Sequence, residues 1–188
     1  IGLLYYFNFV QTEYFKESEA SAKSDVVQKL VPNALWYFRW AAAFTFLTGL
    51  YLLYWLSITV NIGIVLGALM GTLMAANVWF VIWPNQKKVI AGAPDAADAG
   101  AKAGLASRTN TLFSLPMLYL MVYSAHGGGL PMIAATDMTG LWVGIAIILL
   151  IEANALFGKM NPLITSVKAV IHSGVLLTVI FGALVHYL

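Results

Sequence analysis

Five long stretches of apolar residues, separated by short polar segments, dominate the pattern along this chain. A helix needs about 20 mostly apolar residues to cross a bilayer, and each stretch has about that length. The stretches cover residues 34–57, 60–83, 107–126, 139–158 and 164–188. Residues 1–10 form a shorter apolar run, which we interpret as the end of a further, truncated first helix. The stretches lack the period-2 alternation of barrel strands, so the pattern predicts α-helices.

The composition supports a bundle that is embedded in lipid. Hydrophobic residues make up 61% of the 188 residues and charged residues only 10%, a balance typical of membrane proteins. We therefore predict an all-α fold, a polytopic transmembrane helical bundle that forms a single domain over 1–188. The chain contains no cysteine, which excludes disulfides, thiolate metal ligands and the C-x-x-C-H attachment of a c-type haem.

The basic residues predict how the bundle is oriented. All ten fall around the first, third and fifth loops, and they are Lys16, Lys23, Lys29, Arg39, Lys87, Lys88, Lys102, Arg108, Lys159 and Lys168. Because basic loops are retained in the cytoplasm, the pattern predicts a C-terminus on the outer side. The net charge is only +2, so we expect the lipid bilayer and no nucleic acid as a partner.

Polar residues within the apolar stretches form one predicted layer. At about 1.5 Å of rise per residue, Arg39, Asn77 and Glu152 fall at a similar depth, in the half nearer the basic loops. An ionisable group there costs at least about 2.5 kcal/mol, so it should face the interior with a partner. We expect an Arg39–Glu152 ion pair, with Asn77, Asn110 and Asn154 completing a hydrogen-bonded cluster. Such a layer either fixes helix register or forms a ligand, proton or cofactor site.

Three histidines supply the other candidate chemistry. His126 and His186 end predicted spans on the outer side, and His172 lies 14 residues before His186, so one helix face would carry an imidazole near each leaflet. Membrane b-type cytochromes use neutral imidazoles as axial ligands. We therefore predict haem b, with its iron held by His126 and His186, and His172 serving a deeper haem or the polar layer. The alternative for His126 is a cation at a helix C-terminus. The alternative for His186 is an interfacial side chain, and that for His172 is a hydrogen-bonded core histidine.

Several stretches of the chain resemble a known family. WYFRWAAAFTFLTGLYLL (36–53), NVWFVIWPNQKKVIAG (77–92) and ASRTNTLFSLPMLYLMVYSAH (106–126), preceded by IGLLYYFNFV, resemble the membrane domain of the bacterial cytochrome-c-linked urate oxidase (urate hydroxylase) family. The resemblance implies a multi-pass protein of the bacterial inner membrane with a periplasmic C-terminus. Full-length relatives carry a periplasmic c-type cytochrome there and oxidise urate, passing electrons to its haem. This chain has no C-x-x-C-H, and a histidine of the family's first helix would lie before Ile1.

Three functions follow as hypotheses. The first is a b-haem electron-transfer or oxidase module, an oxidoreductase whose partner would be a periplasmic cytochrome c. The second is a non-catalytic accessory subunit that assembles with other membrane subunits. The third is a small-molecule carrier that uses the polar cluster. Hydrolysis has no support, because the sequence suggests no Ser-His-Asp grouping around the three histidines.

Overall fold

A computed structural model describes residues 1–55, 60–126 and 137–187. Within these ranges the chain forms helices and no strands, which confirms the predicted all-α class. In chain order the elements are α1 (Gly2–Tyr5), a first π-helical segment (Tyr6–Gln11), α2 (Thr12–Glu17), α3 (Ala20–Lys29), α4 (Val31–Trp55), α5 (Ile62–Ala76), a second π-helical segment (Asn77–Ile82), α6 (Trp83–Ile90), α7 (Ala96–His126), α8 (Thr139–Phe157) and α9 (Val167–Tyr187). The predicted ends of the second span at 57 and of the last span at 188 lie outside the described residues.

Three of the described helices are long and apolar enough to cross a membrane. They are the continuous helix Ile62–Ile90, Thr139–Phe157 and Val167–Tyr187. Helices suit the bilayer because their backbone hydrogen bonds are satisfied within each segment. The chain is therefore a helical membrane protein. Helices α4 and α7 contain an arginine each and many Trp, Tyr or hydroxyl side chains, which lowers their apolar character, so the total of five complete spans stays a prediction.

Helix α7 lies at the centre of the bundle. It contacts α1, α5, α6, α8 and α9 as well as both π-helical segments. Every side chain from Arg108 to Ser114 is buried, and Phe113 is fully enclosed. A helix that is buried on all sides belongs to the core of a bundle. Residues that α7 contributes therefore lie where the other helices converge.

The connection between α6 and α7 is shorter than the sequence pattern predicted. The apolar stretches end at 83 and resume at 107, but the helices run to Ile90 and begin again at Ala96. Alanine has the highest helix propensity, so the Ala-rich start of α7 forms helix although it is not strongly apolar. Gly92 makes the turn with φ at 63°, a conformation that glycine adopts without strain.

Two π-helical segments interrupt the α-helical pattern. Such segments are rare and are found most often at functional sites. The first contains Asn8, the second begins at Asn77, and both asparagines are buried. Both segments contact α7. Each π-helical segment therefore brings one buried amide towards the central helix.

Glycines allow the helices to approach one another closely. A Cβ atom at Gly144 of α8 would lie 2.7 Å from Leu66 Cδ1 of α5, which is too short for any real contact. A Cβ atom at Gly174 of α9 would lie 3.1 Å from Leu115 Cδ1 of α7. Small residues at such positions are typical of helix packing in membranes. The glycines thus hold α8 and α9 against the core.

Candidate functional site

Three buried polar side chains from three segments form a hydrogen-bonded cluster. Asn77 Nδ2 donates to Asn110 Oδ1 at 3.0 Å and to Glu152 Oε2 at 3.1 Å. The exposed fractions are 2% for Asn77, 1% for Asn110 and 6% for Glu152. An amide nitrogen carries two N–H groups, so one amide can serve both acceptors. The second π-helical segment is thereby tied to α7 and to α8. We call these three residues the polar cluster.

Asn110 connects the polar cluster to a partly open cavity. Its Nδ2 donates to the Met74 carbonyl oxygen at 2.9 Å, and Asn110 is among the residues that line a cavity of about 510 Å³ between α1, α4, α5 and α7. Along α7 the cavity is lined by Asn110, Met117, Met121 and Ala125, so Asn110 lies at one end of a space about four turns long. The remaining walls are mostly apolar. A mostly apolar cavity with a few fixed polar groups is typical of small-molecule sites.

A second set of polar contacts joins the N-terminal helix to α7. Asn8 Nδ2 donates to Ser107 Oγ at 2.7 Å and to the Leu4 carbonyl oxygen at 2.9 Å. The Tyr5 hydroxyl and Ser114 Oγ are 2.9 Å apart. Buried polar groups are normally paired in this way. These bonds fix α1, which forms one wall of the cavity.

Arg108 is a buried charged residue that the sequence analysis did not single out. Only 5% of it is exposed, and its Nη1 has no hydrogen-bond partner among the described residues. The charge pattern groups Arg108 with the basic loop residues, because the predicted fourth span begins at 107. The run SRTNT within an otherwise apolar region was the available signal. It marks the most polar turn of the buried helix.

The predicted ion pair between Arg39 and Glu152 is not present, although both residues are described. The Arg39 guanidinium carbon instead lies 4.1 Å from the ring centroid of Trp83, with Trp79 at 5.2 Å and Trp40 at 5.5 Å. A guanidinium beside indole faces is stabilised by cation–π attraction. Equal depth does not fix the direction in which a side chain leaves its helix, and Arg39 points towards α6 rather than α8.

Asn154 also lies outside the polar cluster. It follows Glu152 by two positions, which turns its side chain about 200° around the helix axis. Its Oδ1 lies beside Gly158, 2.3 Å from where a Cβ atom there would be. The predicted cluster of five residues is therefore corrected to three, namely Asn77, Asn110 and Glu152.

The histidines lie on the surface of the described bundle. His126, His172 and His186 are all exposed, and none of them lines the 510 Å³ cavity. The His186 ring packs against Tyr123, with centroids 5.1 Å apart. The described residues contain no group of three His, Asp or Glu side chains placed to hold a metal ion. The described residues leave these rings uncovered, so they neither support nor contradict a haem site, and haem b stays a prediction.

The fold and the polar cluster define a class of protein: a helical membrane protein with a buried polar site beside a partly open cavity. A family model described as "Urate oxidase N-terminal" matches residues 59–185, which are 127 of the 188 residues. The chain belongs to this family, as its resemblance predicted. The matched region contains the whole polar cluster. Searches of curated proteins and of solved structures found no match.

Proposed function

We propose that this chain is the membrane module of a urate-oxidising protein and that urate binds in the cavity beside Asn110. One observation carries the proposal. Asn110 reaches the cavity, and it is tied through Asn77 to the buried carboxyl group of Glu152. The family membership supplies the substrate class.

The hydrogen-bonding edge of urate matches the amide of Asn110, while the charge of the urate anion meets no basic residue among those that line the cavity. Urate is a small planar purine with carbonyl acceptors and N–H donors around its edge. One N–H of Asn110 Nδ2 is used by the Met74 carbonyl, which leaves the other for a ligand carbonyl. The bond from Asn77 to Asn110 Oδ1 fixes the amide orientation before the ligand arrives. Apolar walls would cover the ring faces, and the cavity volume lies within the usual range for small ligands.

Oxidation of urate releases protons and electrons, and in this proposal the two are transferred to different acceptors. Glu152 lies one amide away from Asn110 and forms no ion pair within the described part of the chain. It is the carboxyl group placed to exchange a proton near the ligand. The electrons would pass to a periplasmic cytochrome c, the acceptor that the resemblance implies.

The substitution Asn110→Ala tests the proposed site. We expect it to weaken urate binding about tenfold, because it removes a hydrogen bond to the ligand. Binding is measured by equilibrium uptake of labelled urate by the protein in lipid nanodiscs. Asn154→Ala is the matched control. It makes the same Asn-to-Ala change in α8, at a side chain outside the polar cluster, and this variant should bind urate like the unaltered chain. Unchanged affinity in Asn110→Ala would contradict the proposal.

Haem b remains a separate proposal. It is supported by the positions of His126 and His186 near the same end of the neighbouring helices α7 and α9, which contact each other. If both are iron ligands, His126→Ala and His186→Ala should each remove most of the haem while the protein still inserts. A reduced-minus-oxidised spectrum of the purified protein measures this. A spectrum without a Soret band, or full haem in both variants, would reject the proposal.

We further propose a bacterial inner-membrane location with a periplasmic C-terminus, which the one-sided placement of basic residues supports.

Two measurements distinguish the other two hypotheses from an oxidase. A small-molecule carrier would bind urate and exchange it across a vesicle membrane without reducing cytochrome c. An accessory subunit would bind no urate and would migrate with other membrane subunits at native size.

A further inference from the structure

A second cavity lies at the basic end of the bundle, between the start of α4 and α6. Its volume is about 390 Å³, and its walls include Leu35, Trp36, Arg39, Trp83 and Lys87. Two of the eight lining residues are basic and none is acidic. The cavity therefore combines apolar walls with uncompensated positive charge.

The two cations in this cavity share one aromatic side chain. The Lys87 Nζ and the Arg39 guanidinium carbon each lie 4.1 Å from the Trp83 ring centroid. Neither cation is part of an ion pair within the described part of the chain. The Arg39 Nε is buried and meets no hydrogen-bond partner there. A buried N–H group without a partner is unfavourable, so an anion that supplied an acceptor to this guanidinium would be favoured.

We propose that this cavity binds the phosphate group of an anionic phospholipid. Trp residues and basic residues together mark the boundary between hydrocarbon and headgroups, and basic pockets between helices on the cytoplasmic side bind anionic headgroups. The planar fork of a guanidinium matches phosphate oxygens. Leu35 and Trp36 give the cavity apolar walls, which suit the glycerol and the first acyl carbons of a lipid better than a free phosphate ion. This site is separate from the proposed urate site.

The adjacent lysines provide a matched pair of variants. Lys87 lines the cavity, whereas Lys88 Nζ is held 2.6 Å from Asp95 Oδ2 outside it. The Lys88 hydrogen bond lowers the pKa of Asp95, so this pair stays ionised at neutral pH. Both lysines are exposed, so replacing either one should leave the fold intact. Lys87→Met and Lys88→Met therefore make the same change in charge and length, one inside the site and one outside it.

The experiment titrates the purified chain in neutral detergent with phosphatidylglycerol and follows the rise in thermal midpoint, with phosphatidylcholine as the reference lipid. We expect phosphatidylglycerol to stabilise the chain more than phosphatidylcholine. Lys87→Met should raise the phosphatidylglycerol concentration that gives half of the maximal shift about fivefold, since one basic residue near an anionic headgroup contributes about that factor. Arg39→Lys should weaken it as well, because it keeps the charge and loses the fork. Lys88→Met should titrate like the unaltered chain.

Three results would overturn the proposal. The first is equal stabilisation by the two lipids. The second is an equal loss in Lys87→Met and Lys88→Met, which would indicate general surface charge rather than a site. The third is saturation of the same shift by inorganic phosphate alone, which would assign the cavity to a soluble anion instead of a lipid.

Discussion

The variant Asn77→Leu is expected to lose about 2–6 kcal/mol of stability. The Asn77 amide donates to two buried acceptors at once, Asn110 Oδ1 and Glu152 Oε2. Leucine leaves both acceptors without a donor, and each unsatisfied buried group costs about 1–3 kcal/mol. Unfolding in a titration with a denaturing detergent, followed by tryptophan fluorescence, measures the loss.

Two further variants make this result specific. Asn85→Leu is the matched control on the same continuous helix, because among the described residues the Asn85 side chain bonds only to the nearby Val81 carbonyl, at 2.8 Å. Its loss should stay near 1 kcal/mol. The double variant Asn77→Leu with Glu152→Leu should lose less than the sum of the single variants, since it removes donor and acceptor together. Strictly additive losses would show that the two side chains do not interact in the membrane.

Phe113→Ala is the second substitution with a large expected effect. The Phe113 side chain is fully enclosed on the central helix and belongs to the same core cluster as Leu66 and Phe181. Removing it leaves a cavity that the surrounding helices fill only partly, at a cost of about 3 kcal/mol. We place the value at the lower end of the usual range because lipid rather than water surrounds the separated helices, so lost packing contacts dominate. The same detergent titration measures it.

Phe80→Ala is the control for this substitution. Phe80 lies in the second π-helical segment and is 78% exposed on the outside of the bundle. Its removal opens no internal cavity, so stability should change by less than about 0.5 kcal/mol. Similar losses for both phenylalanines would mean that Phe113 is not packed inside the bundle.

The last two helices show what apolar length alone can predict. The stretches 139–158 and 164–188 correspond to Thr139–Phe157 and Val167–Tyr187, because hydrophobic residues predominate along these helices. The start of α7 was missed by the same criterion. Its first turns are small and partly polar, and alanine propensity together with packing against α6 makes them helical,. Apolar length therefore predicts lipid-facing helices better than buried ones.

The sequence predicts how deep in the membrane the site residues lie, but not the direction in which their side chains leave the helix. Estimated depth brought Asn77 and Glu152 into one layer, and they are hydrogen-bonded. The same estimate paired Arg39 with Glu152, and this was wrong because a guanidinium can be stabilised by indole faces as well as by a carboxylate. No sequence rule identified the π-helical segments, whose extra residue per turn changes which side chains face inward. Direction around the helix axis has to come from the structure.

The second π-helical segment determines how far the side chains in the second half of the helix Ile62–Ile90 are rotated about the helix axis relative to those in the first half. A π turn holds one residue more than an α turn, and one residue corresponds to about 100° of rotation. In the first half, Leu66 and Met70 face the core, and in the second half Trp83 faces Arg39 of α4. With an ordinary α turn between them, the second face would be rotated by about 100° relative to the first. One inserted residue thus lets a single continuous helix line the 510 Å³ cavity with its first half and the basic cavity with its second half, which makes the length of the segment 77–82 as constrained as its side chains.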